Sequence, residues 1–140
     1  MNYLLRSLIV CLSACSFAAI EPFTTEAFNK SIADGKRVVV AVKAVWCGHC
    51  MAQQSIFKDL VTKQPYKSMS FYNLPYFGAE DDKAFLTENY INEYNQNHPK
   101  QPCNLASRST ILVIDENKLL ACKAFITSET SIEDLIRTPL

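Results

Sequence analysis

The sequence predicts an α/β fold: a mixed central sheet, made of a parallel pair of strands plus an antiparallel hairpin, flanked by helices. Three observations carry this. Residues 38–45 form a β-branched apolar run that reads as a strand buried on both faces. Residues 51–64 follow with helical period, placing Ala52, Ile56, Phe57, Leu60 and Val61 on one stripe. Near the end, apolar runs at 110–115 and 119–126 flank Glu116-Asn117-Lys118, the pattern of a hairpin. A strand, a helical crossover and a second strand make a parallel pair, which the hairpin then closes.

Each element has a local reason. Thr24 or Thr25 caps a first helix running to about Ala33 and closed by Gly35. The buried strand spans 37–45, and the long helix comes next. Residues 67–74 alternate loosely and stop at Pro75, as a second strand would. Glu80, Asp81 and Asp82 load the first turn of another helix, to about Tyr94, with the sign its dipole favours. Residues 95–106 read as a polar loop holding Pro99, Pro102 and Cys103. After the hairpin, Ser131-Ile132-Glu133-Asp134 resembles a capping box that opens a terminal helix. The expected order is α-β-α-β-α-β-β-α, with no repeat or low-complexity tract.

With 140 residues the chain supports one compact domain. Residues 1–19 read as an export signal and 20–140 as the domain. Arg6 is the leader's sole charge, residues 8–14 form its short apolar core with Cys11 inside it, and small residues follow. Two processing sites compete. Ser16-Phe17-Ala18 suits an ordinary signal peptidase, whereas Leu12-Ser13-Ala14-Cys15 resembles the bacterial lipobox, with Cys15 as the lipidated residue. The 14 basic and 14 acidic residues balance, and losing Arg6 leaves one acid in excess. There is no basic field for nucleic acid. Export together with a C-x-x-C pair places the protein in an oxidising space, for which a bacterial periplasm fits best.

The chemistry concentrates where the buried strand meets the long helix, at Trp46-Cys47-Gly48-His49-Cys50. Backbone N–H groups of a first helical turn lack partners within the helix, and together with the helix dipole they favour a thiolate at Cys47. Cys47 is the expected nucleophile at the exposed edge of the turn, and Cys50, one turn on, the more buried resolver. His49, as donor or imidazolium beside Cys47, would stabilise the reduced form and make the disulfide more oxidising. Gly48 completes the motif. Trp46 reads as cover for the cysteine pair and part of the substrate face, or as core packing; Met51 reads as helix filler. For Cys103 and Cys122 three readings stand: a structural disulfide, two buried free thiols, or a redox role for Cys103.

The element order, with Trp-Cys-Gly-His-Cys closing the first core strand, resembles the thioredoxin superfamily over the whole domain. The pentapeptide is similar to the active site of protein disulfide isomerase domains, and the leader to small exported Dsb-type proteins. The resemblance implies a thioredoxin-like fold and a thiol–disulfide oxidoreductase that needs no cofactor and acts on exported proteins, as reductase or isomerase rather than dedicated oxidant. It also implies a membrane or soluble redox partner. Two departures from the family pattern stand out. Relatives place a cis-proline before the hairpin, facing the cysteines; here Arg108-Ser109-Thr110 occupies that stretch, with Ser109 at the proline position. Trans is the expectation there, because a cis bond before a non-proline residue costs about 2.5–4 kcal/mol. Arg108 and Ser109 join Trp46 as expected substrate-binding residues. The buried acid that many members carry six residues before the first cysteine is Ala41 here, leaving Lys43, His49 or water to take the proton of Cys50. A copper- or zinc-delivery module built on Cys47, His49, Cys50 and Met51 is the alternative function.

Overall fold

The computed structural model describes residues 19–140. The readings placed on Arg6, on the 8–14 core, on Cys11 and Cys15 and on the Ser16-Phe17-Ala18 processing site therefore lie outside the described residues.

A five-stranded sheet forms the centre, in the order β1-β3-β2-β4-β5. Its strands are β1 (Ile20–Pro22), β2 (Val38–Lys43), β3 (Ser70–Pro75), β4 (Ile111–Asp115) and β5 (Lys118–Lys123). The helices are α1 (Thr25–Ala33), α2 (Gly48–Leu60), α3 (Glu80–Leu86), α4 (Asn92–Asn97) and α5 (Glu129–Ile136). β3 runs parallel to both β1 and β2, while β4 is antiparallel to β2 and to β5. The expected parallel pair plus hairpin is present, and β1 adds a third parallel strand that the sequence analysis lacks.

Alternation along β2 divides the core between the two faces of the sheet. Val38, Val40 and Val42 pack with Phe28 of α1 and with Leu86, Tyr90 and Ile91 on one face. Val39 and Ala41 pack on the other with Phe57 and Leu60 of α2 and with Ile132 and Ile136 of α5. A strand clothed on both sides needs apolar residues at every position, which is why β2 reads as an unbroken run.

Element ends differ from expectation where a local hydrogen bond decides. Strand β3 begins at Ser70 because Tyr66–Ser68 takes up a single 3-10 turn. Helix α2 begins at Gly48 rather than Met51, since Cys47 itself is its cap, and it ends at Leu60, short of Gln64. The helix beginning at Glu80 does not stop near Tyr94. It continues through a π-helical stretch, Thr87–Ile91, into α4. Two residues, Glu116 and Asn117, make the hairpin turn, both with positive φ (48° and 60°), as primed two-residue turns require. Strand β5 ends at Lys123, before the expected Ile126. Ser128, not Ser131, caps α5, its hydroxyl accepting from the Ser131 N–H. At the opposite end, Arg37 donates to Asp115 and to the carbonyls of Ile136 and Thr138, binding α5 to the bottom of the sheet.

Cys103 and Cys122 form a disulfide, with sulfurs 2.03 Å apart, which decides among the three readings of this pair. It ties the loop before β4 to β5, and the Asn95 side chain pairs with both the N–H and the carbonyl of Cys103. No helix among the described residues is long and apolar enough to cross a membrane.

Candidate active site

The cysteine pair sits beyond the end of β2, where the chain turns from sheet into α2. Cys47 has extended backbone (φ −93°, ψ 113°) and caps the helix. Its Sγ accepts from the Cys50 N–H at 3.2 Å, so one of the unpartnered amides at the helix start points at sulfur, as the sequence predicts. Cys47 is less open than expected, at 6% exposure, because it packs with Ala44 and Tyr76. Cys50 is deeper still, at 1%, and its thiol reaches the Val42 carbonyl at 3.6 Å. Burial first, and the hydrogen bond to Cys47 second, push the Cys50 pKa above the ordinary thiol value; backbone groups of Ala44 and Ser109 offset part of the rise.

The residues around the pair divide into a rim and a floor. Trp46 is half exposed, which removes the core-packing reading; its ring meets Tyr76 edge-on and leans on Phe77. The Arg108 guanidinium lies 4.3 Å above the indole centroid, so two of the expected substrate residues touch each other. The His49 ring packs edge-on against Phe125 at 5.5 Å. Met51, read as helix filler, is exposed on the first turn of α2. Gly48 stands in open space, where a side chain would meet nothing within 4 Å. Apart from Leu140, the exposed large hydrophobics among the described residues are Val45, Trp46, Met51, Phe77 and Phe125. All of them flank the cysteines in sequence or contact a residue that does.

Ser109 occupies the position where relatives carry proline. It is fully buried and has φ 63°. The one cis peptide bond among the described residues precedes Pro65, so the bond before Ser109 is trans. Hydrogen bonds hold this stretch from both sides. Ser109 N–H donates to the Val42 carbonyl, and Ser109 Oγ accepts from the Phe125 N–H. The Ser109 carbonyl accepts from Gln53 Nε2, and Thr110 Oγ1 donates to the Ser107 carbonyl. Serine thus holds by side-chain and N–H bonding a turn for which proline has no donor.

Sequence reasoning missed Gln53 and Gln54. Gln53 is 1% exposed and bridges the carbonyls of Ser109 and Ile126 from α2, while its Oε1 has no partner. Gln54 and Asn73 exchange paired amide bonds of 2.7 and 3.0 Å. Asn73 is the β3 neighbour of Ala41, so a neutral amide pair stands beside the position of the missing acid. Lys43 lines a shared groove with Gln54, Lys58 and Asn73. The signal was present in the spacing: Cys50, Gln53, Gln54 and Phe57 fall on one helical face.

A dithiol with one sulfur capped by a helix N-terminus and the other buried beside it supports thiol–disulfide exchange in general. A family profile described as Thioredoxin matches residues 19–80, which include the cysteine pair. Comparison with curated protein sequences found no match. Among solved structures, Trxlp from Edwardsiella tarda is 22% identical, with 85% of this chain and all of that one covered and a TM-score of 0.62. Thioredoxin from Fasciola hepatica is 18% identical, with 86% and 100% covered and a TM-score of 0.56. Thioredoxin from Trypanosoma brucei brucei is 14% identical, with 89% and 93% covered and a TM-score of 0.52. The chain has the thioredoxin fold, and its residues 19–80 match the Thioredoxin family profile.

Proposed function

We propose that the protein is a thiol–disulfide oxidoreductase for exported proteins, acting as reductase or isomerase through Cys47 and Cys50. The observation that carries it is the cysteine pair at the α2 N-terminus, ringed by exposed apolar side chains that suit a polypeptide substrate. Cys47 attacks as thiolate on a substrate disulfide. One substrate sulfur becomes bonded to Cys47, and the other leaves as a thiolate that takes up a proton. Cys50 then gives up its proton and attacks Cys47 Sγ, breaking the mixed disulfide and releasing the second substrate thiol. Two electrons pass from the enzyme dithiol to the substrate. The high pKa of Cys50 keeps it protonated, and so out of play, until the mixed disulfide forms.

The Cys103–Cys122 disulfide supports the compartment, since such bonds persist in oxidising spaces. We accordingly place the protein outside the cytoplasm, in a bacterial periplasm, with Cys15 as the site of lipid attachment if the lipobox is processed. The metal-delivery reading gains no observation. A closed zinc site would need two ligands beyond Cys47 and Cys50; Cys103 and Cys122, which could serve, are joined to each other, and the described residues hold no group of three or more ligating side chains suited to a metal.

The test is reduction of a peptide disulfide by the reduced protein. Cys50→Ser should accumulate a mixed disulfide at Cys47, and Cys47→Ser should be inactive; turnover surviving in Cys47→Ser overturns the reading. Direction is tested by acid quenching and thiol alkylation in the expressing cell. A reduced pair supports reductase or isomerase action, whereas an oxidised pair would make the protein a disulfide donor.

A further inference from the structure

We infer that Arg108, stacked on Trp46, selects substrates carrying a carboxylate beside the reacting cysteine. The inference rests on the exchange function proposed above and names the substrate class of that site. Arg108 lies over Trp46 beside the cysteines, and no hydrogen bond or ion pair among the described residues engages it. Lys83 donates to the Tyr76 carbonyl at 2.6 Å and lies within 3.8 Å of Glu80. The four ion pairs among the described residues leave Arg108 out. Arg37 makes the contrast, since its donors are engaged by Asp115 and two backbone carbonyls and its role is to hold α5.

The guanidinium carbon lies 4.3 Å from the indole centroid and Arg108 is exposed, so its N–H groups are open to a carboxylate in a two-bond fork. The base of the side chain is fixed as well. Its neighbour Ser109 is fully buried and bolted to Val42, Gln53 and Phe125. A cation held between a stacked ring and a rigid backbone loses less rotamer freedom on binding than a free surface arginine. Trp46 immediately precedes Cys47, so whatever the guanidinium grips lies next to the sulfur under attack. The apolar rim reads no particular sequence; Arg108 adds the charge that discriminates.

The test compares two peptide disulfides that differ only in having Glu or Gln beside the cysteine. An exposed ion pair of about 1 kcal/mol corresponds to about fivefold. The wild-type protein should therefore prefer the acidic peptide by about fivefold in kcat/KM, with the difference in KM. In Arg108→Gln the ratio should fall to near one, and in Arg108→Glu below one, whatever the absolute rates. A second readout needs no turnover. Trp46 is the sole tryptophan, so the acidic peptide with serine in place of cysteine should change its emission in Cys47→Ser protein, and not when Arg108→Gln is added. Equal use of the two peptides by the wild type, or a ratio unchanged in Arg108→Gln, overturns the inference while leaving the exchange function standing. Failure to turn over either peptide overturns the exchange function itself.

Discussion

Ser109 offers a severe test, because the substitution that would restore the residue of the relatives should harm this protein. Ser109→Pro removes the N–H that donates to Val42 at 3.0 Å. Val42 is fully buried, and leaving its carbonyl short of that donor costs about 1–3 kcal/mol. Proline also fixes φ near −65°, whereas Ser109 sits at 63°, a conformational mismatch of about 3 kcal/mol or more. Together these give a loss of about 4–6 kcal/mol, which at about 2 kcal/mol per molar lowers a urea midpoint by about 2–3 M. Ser109→Gly is the control. Glycine relieves about 1 kcal/mol of left-handed strain and forfeits the bond from Phe125 N–H, worth about the same, so its midpoint should stay within about 0.5 M of wild type. Urea unfolding followed by circular dichroism measures both. A Ser109→Pro protein as stable as wild type would show that the loop takes the cis-proline geometry of its relatives, and would refute the account of Ser109 given above.

Two further expectations follow from the same structure. Replacing Cys103 and Cys122 together by alanine opens a loop with a sequence separation of 19; chain entropy puts the loss at about 3 kcal/mol, and a melting temperature unchanged between the two proteins would contradict the disulfide's role. The high pKa of Cys50 means that the folded, reduced protein keeps this proton where the unfolded chain releases it, so stability falls as pH rises through and above the ordinary thiol range near 8.5. Melting curves of reduced wild type should show that alkaline decline beyond what Cys50→Ala shows, and two parallel curves would exclude it.

What the sequence displays openly is whatever repeats within a few residues. Strand β2, the cysteine motif, helix α2 and the hairpin all carry local periods or turn residues, and all are present, with ends shifted by a few residues. Strand β1 has no such period: Ile20, Glu21 and Pro22 become a strand because β3 lies alongside. Ser128 and Ser131 are equally good caps in isolation, and the choice falls to the one whose hydroxyl meets an N–H three residues on. At the site, the cysteine pair and its place at the start of a helix were legible. The conformation of Ser109 and the burial of Gln53 were not, because each is set by partners far along the chain, Val42, Phe125 and Ile126. The orientation of His49 escaped for the same reason: Phe125, its packing partner, lies on a remote turn.

Strand β1 sets a limit on any trimming of the N-terminus. Three residues pair with Phe71, Tyr72 and Asn73, and Phe23 adds a bond to the Asn73 carbonyl at 2.8 Å. Without them the flank of β3, with its aromatic side chains, would become an open row of donors and acceptors on a regular strand, the kind of border that recruits another copy. Processing that stops ahead of Ile20 keeps this border covered. A few residues further, and the first symptom would be self-association of a chain whose core is otherwise intact.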